Sequence, residues 1–95
     1  MPHYVAVVED AGPDTAVGIW FADLPGCFSG GDDLDEALRN APEAIVLYAD
    51  VLGEDGCALP PARTLIDLKR DPEIARDIDA FMVALVPAPA TADAV

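Results

Sequence analysis

Ninety-five residues leave room for one domain, and a chain of this mass buries roughly 64% of its unfolded surface, enough for a single modest core. An apolar content of 53% marks a globular rather than a disordered chain. Eighteen acidic residues against five basic ones give a formal net charge of -13. That balance argues against direct nucleic-acid binding, which needs Lys/Arg clusters facing phosphate.

Tyr4-Val5-Ala6-Val7-Val8 is short and apolar on both faces, the pattern of a central strand. The turn residues of Glu9-Asp10-Ala11-Gly12-Pro13-Asp14 end it. Ala16–Phe21 reads as a second strand, joined to the first as an antiparallel hairpin. Asp23-Leu24-Pro25-Gly26 has proline and glycine where a type II turn places them, so Cys27-Phe28-Ser29 is expected to begin a third, short edge strand. A short exposed edge commonly pairs with another chain.

A long helix follows. Leu34, Leu38, Ala41, Ile45, Tyr48 and Leu52 recur at steps of three and four and form one apolar stripe. Asp33 is a suitable N-cap, Glu36 three residues on completes a capping-box-like pair, and Gly53 stands where a C′ glycine belongs. Pro42 lies inside the stripe, where it deletes the bond to the Leu38 carbonyl at a cost of about 3 kcal/mol. The stripe keeps its phase across it, so one kinked helix is predicted rather than two.

Beyond the rigid Leu59-Pro60-Pro61, Thr64 can cap a short helix through Leu68 or Arg70, and Asp71-Pro72-Glu73 can start another through Ile78. Arg63, Lys69, Arg70 and Arg76 are expected to form surface pairs with Asp67, Glu73 and Asp77. Phe81–Val86 is apolar on both faces and reads as a last, interior strand. The domain is placed at residues 1–87, with 88–95 a disordered Ala/Pro-rich tail.

These elements predict an α+β fold: a three-stranded antiparallel meander, a crossover helix, and a fourth strand beside and parallel to the first, in the order 3-2-1-4. The first hairpin loop and the helix N-terminus then share one end of the sheet. Glu9, Asp10 and Asp14 would meet Asp32, Asp33, Asp35 and Glu36 there, with the Asp23 turn at the opposite end.

Cys27 and Cys57 have neither disulfide-framework nor zinc spacing and are expected to be small, buried or half-buried side chains. The single histidine, His3, lies at the terminus, so a thiol nucleophile has no general base. No cofactor or resident metal is indicated. With no signal peptide and no long apolar run, the sequence reads as cytoplasmic and without a membrane segment. Trp20, Phe21, Phe28 and Tyr48 read as core or subunit-interface aromatics, with Trp20 and Phe28 the candidate interface pair in a homodimer or higher homo-oligomer.

The ordered set Asp23, Leu24, Pro25, Gly26, Cys27, Gly31, Asp32, Glu36, Ala37, Leu38, Asn40, Ala41, Glu43 and Ala44, together with Tyr4 and Leu59-Pro60, resembles the signature of the HicB antitoxin family. The likeness covers most of residues 4–61. It implies a partial ribonuclease-H-like domain in which Asp23, Leu24, Pro25, Gly26, Gly31 and Asn40 are structural. It further implies a non-enzymatic protein that binds a small basic HicA-type mRNA-cleaving toxin and blocks its catalytic histidine. Members often carry a DNA-binding domain after the fourth strand. The Ala/Pro-rich tail is not expected to form one, which leaves transcriptional autoregulation open. Asp33 and Pro42 depart from the family pattern.

The acidity suits such a partner, because an anionic protein can occupy a surface built for RNA phosphate. On that basis the seven acids of the hairpin-and-helix end are the candidate toxin-binding residues. One alternative is a stand-alone HicB-like homo-oligomeric scaffold or binding module without a toxin. Another takes the ribonuclease-H likeness literally, with Glu9, Asp10, Asp14 and Asp32 holding magnesium for nuclease chemistry. The missing basic path for substrate weighs against that last reading.

Overall fold

A computed structural model describes residues 3–88. Strand β1 (His3–Glu9) has Tyr4–Val8 buried without interruption because both of its faces are covered. It pairs antiparallel with β2 (Val17–Phe21), which pairs antiparallel with β3 (Leu24–Gly31). With β4 (Met82–Pro87), the strands form one sheet ordered β3-β2-β1-β4. Between β3 and β4 lie helices α1 (Leu34–Glu54), α2 (Leu65–Lys69) and α3 (Pro72–Ala80).

The two sheet faces are covered by different helices. Tyr4, Ala6 and Val8 point to one face and join Val17, Ile19, Phe21, Leu24, Cys27 and Val86 under the α1 residues Ala37, Ala41 and Ile45. Val5 points to the other face, where it packs with Leu68 of α2 and Ile78 of α3. Small residues at the centre of α1 let the helix lie close on the sheet: Ala37 and Ala41 are fully buried, and a Cβ on Gly31 would come within 2.6 Å of the Ala37 amide nitrogen. The buried line of α1 therefore runs through Ala37, Ala41 and Ile45. Leu34, Leu38 and Tyr48 are partly buried against the same cluster.

The helix termini follow local chemistry. Asp33 caps α1 through a 2.8 Å bond from the Glu36 amide. The Glu36 carboxylate reaches back to the Asp32 amide at 3.1 Å, one residue beyond the usual capping box. Pro42 lies within α1, which continues through it as a single helix. The helix passes Gly53 and closes at Gly56 instead, which has φ +75°. Cys57 N donates to Leu52 O and Gly56 N to Gly53 O, the paired bonds of a Schellman end. Thr64 caps α2, and Asp71 caps α3 with Pro72 in its first turn.

Several expectations need correcting. The fourth strand takes its predicted place beside β1 but runs antiparallel to it, from Val8↔Met82 to His3↔Pro87. The reason is that α2 and α3 carry the chain back across the second face before β4 begins, so a single crossover is replaced by a return path. β4 is consequently an edge rather than an interior strand, with Leu85 and Met82 exposed. The third strand starts at Leu24, because the tight turn lies at Ala22-Asp23. Pro25-Gly26-Cys27 form a bulge within β3, since Trp20 pairs with Phe28 while the next residue, Phe21, pairs with Leu24. Gly26, at φ +85°, supplies the left-handed backbone this bulge needs. Finally, Cys27 is buried as expected, whereas Cys57 is exposed in the loop after α1. Of the tail expected at 88–95, Ala88 is instead buried in the core cluster, and residues 89–95 lie outside the described residues.

Candidate functional site

The acidic end is built by strand direction. β1 and β3 both pair antiparallel with β2, so they run the same way and finish at the same end of the sheet. The β1–β2 loop and the start of α1 therefore meet, whatever the direction of β4. Asp10, Asp32 and Asp33 line one concavity of about 410 Å³ with Gly12, Pro13, Val17 and Leu34. Local bonds hold its walls. The Asp10 carboxylate accepts from the Gly12 amide at 3.1 Å, and Thr15 donates to Gly12 O through both its amide and its hydroxyl. Asp33 and Glu36 are held by the helix cap.

The remaining acids sit around this concavity rather than in it. Glu9 turns to the second sheet face and accepts from the Trp20 indole at 2.8 Å. Asp14 is exposed in the hairpin turn, and Asp35 is exposed in the first turn of α1. The ion pairs resolved among the described residues lie elsewhere, at Arg63–Asp23, Arg63–Asp71 and Arg70–Asp67. This end thus presents uncompensated carboxylates to solvent, a field suited to steering a cationic partner. Among the described residues, no three His, Cys, Asp or Glu side chains converge as a metal cage.

Several signature residues make contacts within the fold. The Asp23 carboxylate, only 7% exposed, accepts from the Arg63 amide and the Arg63 Nε, each at 2.7 Å. This contact fastens the β2–β3 turn to the segment entering α2 and raises the Arg63 pKa, chiefly through the hydrogen bond to Asp23. Arg63 therefore pairs with Asp23 and Asp71 instead of the expected helix acids. Asn40 donates to the Gly30 carbonyl at 2.9 Å, tying α1 to β3 beside the close approach at Gly31. Tyr48 donates to Pro25 O at 2.8 Å within the bulge, and Tyr4 donates to Pro60 O. Cys27, buried beneath α1, donates to Ala44 O at 3.6 Å, and burial pushes its thiol pKa up.

Trp20 and Phe28 are cross-strand partners on the second face, and Phe28 is 70% exposed. An apolar groove that sequence reading missed adjoins Phe28. It runs between α1 and the β3 edge and is lined by Gly26, Cys27, Ala44, Leu47, Tyr48 and Val51. Leu47 and Val51 are exposed and lie off the buried stripe. Their spacing of four residues was a readable signal of a second apolar line on the helix.

The four-stranded antiparallel sheet and the long capped helix on one face define a small α+β domain of the type found at the N-terminus of a HicB antitoxin. The chain covers 97% of its own length and 67% of the crystal structure of the Burkholderia pseudomallei antitoxin HicB, at 28% identity and a TM-score of 0.74. It matches the isolated N-terminal domain of that antitoxin with a TM-score of 0.67 over 92% of this chain and 98% of that one. A HicA3 and HicB3 toxin-antitoxin complex contains a chain of the same fold, at 22% identity and a TM-score of 0.69. A protein from the rep-hol intergenic region of Haemophilus phage HP1 is 43% identical over 51 residues, which are 54% of this chain but only 38% of the phage protein. The profile of the family described as HicB_like antitoxin of bacterial toxin-antitoxin system matches residues 4–93, and the chain belongs to that family. None of the described helices is long and apolar enough to cross a membrane.

Proposed function

We propose that this chain acts as an antitoxin by binding and masking a small basic HicA-type ribonuclease, through the acidic end formed by Asp10, Asp14, Asp32, Asp33, Asp35 and Glu36, with Glu9 of the expected set turned away to Trp20. The observation that carries the reading is the meeting of the β1–β2 loop with the α1 N-terminus around one acidic concavity. Family membership and the fold shared with a HicA3 and HicB3 complex support it. An RNA-cleaving toxin must present cations where phosphate binds, and six carboxylates at one end can occupy that surface in place of RNA. Masking needs no bond-making by this chain. Its contribution is shape, charge and a scaffold that holds the carboxylates still.

The test mixes the purified protein with a HicA-type ribonuclease and follows survival of an RNA substrate. Protection and complex formation are expected at low salt, with association slowing as salt screens the field. Neutralising Asp10, Asp14 and Asp32 together to Asn should slow association about tenfold at low salt and by much less at high salt. Absence of both protection and complex at low salt would refute the reading.

A further inference from the structure

Helix α1 carries an apolar line that its own sheet does not use. Leu47 is 59% exposed and Val51 60%, and with Ala44 and Tyr48 they wall an open groove of about 250 Å³ whose other side is β3 at Gly26 and Phe28. From Ala44 to Val51 the groove follows two turns of helix, about 10 Å. Leu47 stands about 20 Å along α1 from Leu34, which belongs to the acidic concavity, so the two surfaces are separate.

Acids flank this line. Glu43, Asp50 and Glu54 of the same helix, and Asp55 at its end, are exposed and lie one turn from Leu47 or Val51. None of the four forms an ion pair among the described residues, and Arg39, the one base of α1, lies a turn before Glu43 without pairing to it. Asp50, Glu54 and Asp55 also stand at the C-terminal end of α1, whose last turn has no base. Carboxylates there oppose the negative end of the helix dipole, so the isolated helix gains nothing from them. A cation laid over them relieves both repulsions.

Charge and backbone select the occupant. A second copy offers no cationic face: Arg63 is taken by Asp23 and Asp71, Arg39 lies between Asp35 and Glu43, and Lys69, Arg70 and Arg76 are interleaved with Asp67, Glu73 and Asp77. An added strand is blocked, because Pro25 has no amide and Gly26, at φ +85°, turns the β3 edge out of a continuous ladder. The same acids repel an anionic lipid surface. A helix meets none of these objections. Its apolar residues at i, i+4 and i+7 match a groove two turns long, and bases beside them meet the flanking carboxylates.

We propose that the groove between α1 and β3 docks a cationic amphipathic helix of a protein partner. The apolar stripe of that helix covers Leu47 and Val51, and its Lys or Arg residues lie over Glu43, Asp50 and Glu54. This goes beyond masking at the acidic end and stands or falls separately from it, since the two surfaces share no residue. Salt screens the charged part of the contact and leaves the apolar part, so preference for an amphipathic arrangement over cationic charge alone persists as salt rises.

Fluorescence anisotropy of two labelled Leu/Lys peptides of about 18 residues, titrated with the full chain, tests it. One peptide has its leucines on a single helical face; the other has the same composition in an order that forms no stripe. The amphipathic peptide is expected to bind about tenfold tighter than the scrambled one, the difference made by covering Leu47 and Val51. Replacing both together, Leu47→Ser with Val51→Ser, should abolish that preference while leaving the circular dichroism spectrum unchanged. Asp50→Asn with Glu54→Gln should weaken binding and flatten its salt dependence. The triple Asn variant at Asp10, Asp14 and Asp32 should keep the preference. No binding of the amphipathic peptide at low salt, equal affinity for the two peptides, a preference that survives loss of Leu47 and Val51, or one lost with the acidic-end triple would each overturn the proposal.

Discussion

Gly31→Ala probes the closest approach between helix and sheet. A Cβ at this position would stand 2.6 Å from Ala37 N and 2.8 Å from both Cβ and Cγ of Glu36. Two of these three atoms belong to a residue already committed to the helix cap, since Glu36 N donates to Asp33 and its carboxylate accepts from Asp32. The third is helix backbone, which cannot rotate away. Overpacking of this kind costs about 1–3 kcal/mol. Displacing Glu36 loosens the cap for about 1 kcal/mol more. The expected loss is therefore about 2–4 kcal/mol, and for a domain of this size each kcal/mol lowers Tm by roughly 4–8 °C. Gly18→Ala is the matched control, because a Cβ there meets nothing within 4 Å. Thermal and urea unfolding of the two variants should separate widely, with Gly18→Ala within about 0.5 kcal/mol of the parent, the range of an innocuous surface change. Equal stability of Gly31→Ala and the parent would refute the claim that α1 is held against β3 at contact distance.

Asp23→Ala leaves the Arg63 amide without its 2.7 Å acceptor and breaks the ion pair. The exposed guanidinium discounts the second effect, so about 1.5–2.5 kcal/mol is expected by urea denaturation. Arg63→Ala keeps the backbone bond and should cost less than half as much. For the thiols, iodoacetamide should alkylate exposed Cys57 first and reach Cys27 only through opening of the fold, which mass spectrometry of timed samples can follow. Burial raises the Cys27 pKa above its ordinary 9.0, so the unfolded thiol ionises first as pH climbs. Stability from this group is complete below about pH 9 and falls above it; Cys27→Ser should change the slope of Tm against pH above about pH 9.

Local signals in the sequence were reliable where they were short-ranged. The caps at Asp33, Thr64 and Asp71, the stripe of α1 and the double-sided burial of β1 each depend on neighbours a few residues away. Strand order was also legible, as was the common end of the first hairpin loop and the helix, because a meander fixes the direction of β3 relative to β1. The direction of β4 was not. It depends on where α2 and α3 pack, and that is decided by Val5, Leu68 and Ile78 meeting across about 70 residues of chain. The Asp23–Arg63 contact was illegible for the same reason, with 40 positions between its partners. At Gly56, a left-handed closure after a further turn of helix won over the glycine that seemed correctly placed. Part of the candidate site was equally hidden: Glu9 belongs to the acidic run in sequence, yet strand alternation hands its carboxylate to Trp20 on the other face.

The antiparallel return of β4 brings Pro87 opposite His3, at the far end of β1 from Glu9. Both ends of the described chain consequently emerge together, about 20 Å of extended strand away from the acidic concavity. A fluorescent probe attached at His3 or Pro87 should thus leave that concavity unobstructed, whereas one attached in the exposed turn at Asp14 should crowd it.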